Sequence, residues 1–395
     1  MSKKDLPILI VGGGIGGFAA ALALTQKGIP VVLFEQASEF KEIGAGIQLG
    51  PNVFKMFEVL GVREEMTHWA VFPDNLIFRD ALDGDQLICV PAGQAMVKRF
   101  GYPYGVIHRA DLHNVLIDKV KAQPLANLQP GTKITSIDDR GDHVVVHTEA
   151  GKAWEGRALV GADGLWSRTR AHVVGESKPR VSGHIAYRGV IPTNKVPAHL
   201  QENNMVLNAG PKTHLVHYPL HRGEVYNLVV VFHSDRYEEG WDTYGDPEEL
   251  HQRFRGQQPK VLEFLSMVDE WKMWVLCDRE PIRNWTKGRM TLLGDAAHPM
   301  LQYLAQGACM AIEDAVILAK HLKALPDNAD PNPAFLAYQQ ERYLRTTRVQ
   351  ITARFYGELY HATDASADFR RQLLANRTPE QSYNGMAWLY EGINV

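Results

Sequence analysis

A glycine-rich segment near the start of the chain has the residue types that hold a phosphate group. Gly12, Gly14 and Gly17 form a G-x-G-x-x-G pattern directly after the apolar run Ile8–Val11 and before an alanine- and leucine-rich stretch. Such glycines permit a tight turn and a close approach of the backbone to a pyrophosphate, and the following helix presents oriented N–H groups at its positive end. The pattern therefore predicts a strand, a turn and a helix that bind an anionic group.

Glu35 provides the second part of this predicted site. It follows the apolar run Val31–Phe34 and stands 18 residues after Gly17, close to the spacing of about 20 at which an acid accepts hydrogen bonds from a ribose. The alternative is an ordinary tight turn with Glu35 solvated. We interpret the combination as a site for an adenine dinucleotide, which by itself does not distinguish NAD from FAD.

Two more acidic residues follow apolar runs farther along the chain. Asp163 stands in the segment GADG, and Asp295 stands in the segment LLGDAAHP. Asp295 is expected at the carboxyl end of a strand, where open α/β sheets bind ligands, and a helix N-cap is the alternative. Gly307 and Ala308 then open an apolar helix whose N–H groups could stabilise negative charge, whereas a plain turn glycine is the alternative for Gly307.

The order and separation of these motifs resemble those of the single-component flavoprotein aromatic hydroxylases over essentially the whole chain. The resemblance implies that the dinucleotide is FAD and that Asp163 and Asp295 belong to the DG and GD motifs of that family. It also implies that Arg109 lies near the FAD pyrophosphate. One departure is Cys309, which stands where the family commonly has Asn. We expect Cys309 to be a packing residue and not a nucleophile.

The segment GAGIQ, from Gly44 to Gln48, resembles the mobile segment that this family places beside the isoalloxazine. The resemblance implies that Gly46 and Gln48 contact the flavin.

No second G-x-G-x-x-G follows an expected strand. The resemblance therefore implies that NADH is a transient co-substrate without a domain of its own, and that O2 and reduced flavin hydroxylate an aromatic ring through a C4a-hydroperoxide.

A candidate site for the aromatic substrate lies in the segment THLVHYP. The two-residue period of a strand places His214, Val216 and Tyr218 on one face, and a histidine beside a tyrosine there could deprotonate a phenol near neutral pH. Gln302, shortly after the GD motif, could hydrogen-bond the same hydroxyl. The alternative for His214 is a structural role, since the chain has 16 histidines.

Within the family, the segments GPKTH, DREPI and LQYL resemble the members that act on 3-hydroxybenzoate. This resemblance implies that His214 and Gln302 activate the substrate and that Tyr218 lines its pocket. The implied reaction adds a hydroxyl para to the existing one and gives 2,5-dihydroxybenzoate (gentisate). Three alternatives stay open: decarboxylating salicylate 1-hydroxylation to catechol, a flavin-free NAD-dependent dehydrogenase, and a non-catalytic flavin-binding redox sensor.

The elements that must position these residues predict an α/β fold. Early β-α-β alternation indicates a parallel sheet, and the strand-rich middle indicates a separate antiparallel layer. We expect a Rossmann-like FAD-binding domain whose first part spans residues 1–180. A mixed or antiparallel substrate domain is inserted over residues 181–285, and residues 286–395 return to the first domain and end in C-terminal helices.

Composition excludes several other classes of protein. The chain has 395 residues, a net charge of −3 and three cysteines far apart, so we expect neither a nucleic-acid partner nor a disulfide framework. No apolar stretch approaches the roughly 20 residues that span a bilayer, and the sequence predicts a cytoplasmic protein without membrane insertion. No His or Cys spacing typical of a metal site is evident, and we predict no bound metal.

Two expectations concern the C-terminal third. Leu344, Ile351, Phe355 and Leu359 fall at helical spacing on one apolar stripe, which indicates a scaffold or a subunit contact and supports a homodimer. Glu313 and Asp314 are adjacent around their helix, so we expect a solvated or capping role for them and not a pair of catalytic carboxylates.

Overall fold

The computed structural model describes residues 6–41, 45–234, 243–326 and 329–395. Within them, the strands in chain order are β1 (Ile8–Val11), β2 (Val31–Phe34), β3 (Gly46–Leu49), β4 (Asn75–Asp80), β5 (Gln86–Pro91), β6 (Gly105–His108), β7 (Ala126–Gln129), β8 (Ile134–Asp139), β9 (Val144–Thr148), β10 (Ala153–Gly156), β11 (Ala158–Gly161), β12 (Arg180–Pro192), β13 (Asn204–Gly210), β14 (Thr213–Leu220), β15 (Val225–His233), β16 (Thr243–Tyr244), β17 (Lys272–Asp278), β18 (Thr286–Lys287) and β19 (Met290–Leu292).

The helices of the same residues are α1 (Ile15–Gln26), α2 (Pro51–Val59), α3 (Arg63–Trp69), α4 (Gln94–Phe100), α5 (Arg109–Lys121), α6 (Arg168–Val174), α7 (Pro247–Arg253), α8 (Pro259–Ser266), α9 (Gly307–Lys323), α10 (Asn332–Tyr360), α11 (Asp364–Leu374) and α12 (Pro379–Tyr390). In the described part of the chain, none of these helices combines the length and the apolar composition that a membrane crossing requires.

The first sheet has the strand order β18-β19-β11-β1-β2-β7. Its central strand β1 runs parallel to β2 and β11, and β11 runs parallel to β19. A strand that is covered on both faces needs a continuous apolar run, and every side chain of β1 and β2 is buried except that of Val11, which is half-buried. The helix α1 packs on this sheet through its alanine-rich sequence and against α9.

The second large sheet has the order β16-β17-β12-β15-β14-β13-β4-β5. Its central strands pair antiparallel, and β13 runs parallel to β4. The α/β class with a mixed second sheet and C-terminal helices is confirmed. The division into residues 1–180, 181–285 and 286–395 stays a prediction; in the structure β4 and β5, from residues 75–91, also join the second sheet.

Candidate active site

The glycine-rich loop brings two parts of the chain into close contact. The Gly12 amide donates to the Phe34 carbonyl over 2.9 Å, and Gly12 has a φ of +110°. A Cβ on Gly12 would lie 2.3 Å from the Ala162 carbonyl oxygen, and a Cβ on Gly17 would lie 1.9 Å from the Gly12 oxygen. Only glycine fits at these two positions, and their close packing sets the predicted nucleotide loop against the GADG segment.

Two helix N-termini in this region lack a capping side chain. Gly14 is the N-cap of α1 and Gln306 is the N-cap of α9, and neither helix has a side-chain hydrogen bond to its first turn. The first amides of a helix then point outward with the positive end of the helix dipole behind them. The two termini therefore fit the two anionic parts of FAD, the pyrophosphate at α1 and the reduced ring system at α9.

Glu35 is held at the glycine-rich loop. One carboxylate oxygen accepts the Gly13 amide and the other accepts the Ala37 amide, each over 2.8 Å. The buried His113 ring contacts the Gly13 carbonyl over 2.8 Å, so the two peptide groups that flank the Gly13 Cα are both held. Glu35 thus lies beside the loop as the spacing predicts, at the end of β2, where a ribose would be bound.

Asp163 has contacts that point to a role in capping a helix. Its Oδ1 accepts the Ser167 hydroxyl over 2.5 Å, and its Oδ2 accepts the Arg168 and Thr169 amides over 2.9 and 3.0 Å. Burial raises the pKa of Asp163, and these hydrogen bonds oppose the increase. The carboxylate orients the start of α6, so a direct contact of Asp163 with the cofactor stays a prediction.

Arg170 joins the DG and GD motifs into one unit. Its Nη1 donates to the carbonyl oxygens of Ala296 and Ala297 over 2.8 and 2.9 Å. Burial lowers the pKa of this guanidinium to about 10. Because two segments more than a hundred residues apart meet through this side chain, the turn that carries Asp295 has a fixed position relative to β11.

Asp295 and the start of α9 lie together. Asp295 is exposed in a single helical turn, Gly294–Ala296, and its Oδ1 lies 3.9 Å from the position of a Cβ on Gly307. The helix N-cap alternative is wrong, because Gln306 is the N-cap of α9. The structure therefore brings Asp295, Gly307 and Ala308 to one edge of the first sheet.

The expectation of a solvated role for Glu313 and Asp314 is wrong. Both carboxylates are completely buried. Arg342 contacts each of them over 2.7 Å, Arg345 contacts Glu313 over 2.7 Å, and His298 contacts Asp314 over 2.6 Å. The partners come from α10 and from the GD motif, so the local sequence around Glu313 gives no sign of them.

The strand β3 forms the boundary between the first sheet and the second. Gly46 lies against Tyr218, because a Cβ on Gly46 would be 2.8 Å from the Tyr218 hydroxyl. Gln48 accepts the Tyr104 hydroxyl over 2.5 Å, and it also lies near Tyr218, whose pKa it lowers. Arg109 follows directly on β6, which pairs with β3. Gly44, by contrast, lies outside the described residues.

His214 is buried on the predicted face of β14. Its ring packs against Tyr303, and its Nδ1 lies 2.7 Å from Nε2 of His361. Burial, reinforced by His184, lowers the pKa of His214 to about 3, so the imidazole is neutral at physiological pH. His214 and Tyr218 share a face, but four residues of extended strand separate them by about 13 Å.

Gln302 contacts an arginine that the sequence analysis missed. Its side-chain oxygen accepts Nη2 of Arg188 over 2.6 Å. Arg188 also lies over the Trp274 ring, and its buried Nε has no hydrogen-bond partner among the described residues. Burial lowers the pKa of Arg188 to about 10, and the nearby Tyr218 opposes this decrease. The available signal was an arginine within an apolar strand, on the face of β12 that also carries Ala186.

Cys309 is a packing residue at the start of α9. It is completely buried, and burial raises the pKa of its thiol to about 12. A thiol protonated at neutral pH is a poor nucleophile, in agreement with the expectation for this departure from the family pattern.

Comparisons of the sequence and of the structure with known proteins agree with one another. Residues 5–353 match the family described as FAD binding domain. The 3-hydroxybenzoate 6-hydroxylase of Polaromonas naphthalenivorans is 45% identical over 100% of this chain and 98% of its own length. The crystal structure of Klebsiella pneumoniae HpxO complexed with FAD and uric acid is 25% identical, with a TM-score of 0.87 and 98% of each chain covered. A salicylate hydroxylase substrate complex is 25% identical, with a TM-score of 0.84 over 98% of this chain and 96% of that one.

Proposed function

This chain belongs to the FAD-binding domain family and is a flavoprotein monooxygenase, and we propose that it hydroxylates 3-hydroxybenzoate para to its hydroxyl, giving gentisate with NADH and O2. The identity to a protein named for this reaction, 45% over the whole chain, supports the substrate. In this proposal the enzyme works in the cytoplasm and NADH binds only transiently.

The residues at the first sheet fit FAD. We assign the pyrophosphate to the loop of Gly12, Gly14 and Gly17 with Arg109 nearby, and the ribose to Glu35. Asp295 and the uncapped start of α9, with Gly307 and Ala308, suit the polyol chain and the ring, with Gly46 and Gln48 on the other side. When bound and reduced, FAD supplies the activation of O2, while the protein binds the substrate, orients it and controls its protons.

Arg188 is the single observation that carries the choice of an aromatic carboxylate. A guanidinium that is withdrawn from water normally has a carboxylate partner. Arg188 is half-buried with its Nε enclosed, and no carboxylate of the described residues forms an ion pair with it. It donates to the neutral Gln302 and lies over the Trp274 ring. A benzoate seated beside Tyr218 and Gln302 would provide the missing negative charge through a paired hydrogen bond.

His214 and Gln302 suit the hydroxyl of the same substrate. Because His214 is uncharged, it can accept a proton or a hydrogen bond from a phenol, and a developing phenolate makes the ring more reactive towards an electrophilic oxygen. The amide of Gln302 can donate to that oxygen while its carbonyl stays on Arg188. Burial raises the pKa of Tyr218, which keeps its hydroxyl a neutral hydrogen-bonding group in the pocket.

Product analysis tests this proposal. The flavin-loaded enzyme is incubated with NADH, O2 and each hydroxybenzoate isomer, and NADH oxidation and the aromatic products are followed. We expect gentisate from 3-hydroxybenzoate. Catechol and CO2 from salicylate would support the second candidate, which the similarity to a salicylate hydroxylase favours, and would contradict the first.

The exposed stripe of α10 supports a homodimer. Leu344, Ile351 and Phe355 are 64%, 54% and 56% exposed, which is unusual for large apolar side chains at helical spacing on one face. A second copy of the chain would cover them. Light scattering of the wild-type protein and of Ile351→Glu is the test; two monomeric species would contradict the dimer.

A further inference from the structure

Four histidines meet at one end of the central strands β12, β15 and β14 of the second sheet. His184 on β12 and His233 on β15 are opposite each other in the antiparallel register. His361 follows the end of α10 and covers this pair, and its Nδ1 lies 3.0 Å from Nε2 of His233. One ring nitrogen of each of the three lies within 4.8 Å of those of the other two. His214 is the fourth member and contacts His361 from the other side.

The backbone fixes the relative positions of these rings. Lys212, in the turn between β13 and β14, donates its N–H to the His361 carbonyl and accepts the His233 amide, both over 3.1 Å. The outer sides of two rings are also held, because His184 Nδ1 contacts the Tyr303 hydroxyl over 2.5 Å and His361 Nε2 contacts His214. Histidines that ligate a metal characteristically use the second ring nitrogen in this way, to fix the orientation and the tautomer of the ring.

The chemistry of the donors selects the class of ion. Three neutral imidazoles suit Zn²⁺, Cu²⁺, Ni²⁺ or Co²⁺ and not Mg²⁺ or Ca²⁺, which prefer oxygen ligands. Ligand nitrogens at about 2.0–2.1 Å from one metal lie roughly 3 Å apart, as His233 and His361 already do. Binding does not need a net loss of a proton, because His361 can place its proton on Nε2, towards His214.

The charges around the cluster do not oppose a cation strongly. The two arginines nearest to it are paired, Arg180 with Asp278 over 2.8 Å and Arg370 with Asp80 over 3.2 Å. Lys212 and Glu358 act on His233 in opposite directions. Partial exposure of His233 gives an ion a route from solvent.

We infer that His184, His233 and His361 form a binding site for one divalent transition-metal ion, with a fourth position left for water. The site does not depend on the proposed reaction.

Calorimetry on the flavin-loaded enzyme tests the site. After treatment with a chelator, the protein is titrated with ZnCl2, and with CoCl2 while visible absorption is recorded. We expect one ion per chain and d–d bands typical of a Co²⁺ site with nitrogen ligands. His233→Gln and His184→Gln each remove a proposed ligand and should weaken Zn²⁺ binding much more than about 10-fold. Tyr303→Phe removes only the contact that orients His184 and should weaken binding about 10-fold.

The matched control is His199→Gln. His199 is exposed and paired with Glu263 on the opposite side of the second sheet, so this variant should bind Zn²⁺ like the wild type. Flavin absorbance and far-ultraviolet circular dichroism establish that each variant is folded. A wild type that takes up no Zn²⁺, or a His233→Gln variant that binds it equally well, overturns the site.

Discussion

Two arginines of this protein, one fully buried and one half-buried, have opposite surroundings. Arg342 lies between α9 and α10 with Glu313 and Asp314 each at 2.7 Å, and these carboxylates raise its pKa although burial alone would lower it. Arg188 lies in the second sheet beside Gln302, with no carboxylate of the described residues paired to it, and burial lowers its pKa to about 10. A charge that the fold has already neutralised is structural, and a charge that it has left unpaired marks the place of an anionic ligand.

The largest expected effect is on the paired region. Arg342→Leu leaves Asp314 with His298 as its one ion-pair partner among the described residues, beside the Gly294 amide, and removes one of the two arginines of Glu313. Breaking a buried ion pair from one side costs about 3–5 kcal/mol, and we expect a loss of this size in the free energy of unfolding, measured by urea denaturation of the flavin-loaded protein. Arg345→Leu is the matched control, since Arg345 is partly exposed and Glu313 keeps Arg342. Equal losses in the two variants would contradict the distinction.

The paired region also shows where prediction from the sequence failed. The adjacent positions of Glu313 and Asp314 around their helix predict a solvated or capping role, but the arginines that pair with them lie on α10, 28–32 residues farther along. Arg188 and the histidine cluster escaped notice for the same reason: their neighbours come from strands and loops that are distant in the chain. A pairing between such segments is set by tertiary packing and leaves no local spacing to read.

The nucleotide loop could be predicted because its determinants are local. A Cβ on Gly17 would clash with the Gly12 oxygen of the same loop, and the apolar runs of β1 and β2 specify a buried parallel sheet. The clash at Gly12, by contrast, is with Ala162 of the distant GADG segment. Asp163 falls between these cases. Its position in the DG motif was evident, but its hydrogen bonds to the start of α6 depend on a turn geometry that the residue types do not reveal.

The second-largest expected effect is on turnover, and two histidines of β14 test it. His214→Asn removes the proposed proton acceptor, and general-base assistance is worth about 10²–10⁴-fold, so we expect kcat for gentisate formation to fall by about 100-fold with FAD still bound. His217→Asn is the control, because His217 faces the Phe264 ring on the opposite side of β14. Normal turnover by His214→Asn, or an equal loss in both variants, would reject the role of His214.

The pH dependence of the free energy of unfolding tests the region around Arg342 separately from the region around Arg188. Burial would raise the pKa of Asp314, but His298 and Arg342 outweigh it and lower the pKa to about 2. The unfolded chain has an Asp pKa of about 3.9, so the unfolded state binds the proton first. The resulting stability, about 2 kcal/mol, is present above about pH 4 and is lost as the pH falls towards 2. Unfolding measured across this interval should show a smaller loss in Asp314→Asn; an unchanged loss would contradict the assignment.

The smallest expected effect tests the unpaired charge directly. Arg188→Met removes the proposed partner of the substrate carboxylate, and a hydrogen bond to a charged group is worth about 1.5–3 kcal/mol. We therefore expect KM for 3-hydroxybenzoate to rise by about 10-fold or more, with a smaller change in kcat. The control is a ligand, 3-hydroxybenzyl alcohol, which has no negative charge; its dissociation constant, followed by the change in flavin absorbance, should be the same in both proteins. The KM of Arg188→Lys for 3-hydroxybenzoate should lie between those of the wild type and of Arg188→Met, because an ammonium group keeps the charge but cannot form the paired hydrogen bond. If the uncharged ligand loses as much affinity as the benzoate, Arg188 supports the pocket as a structural residue and the contrast with Arg342 fails.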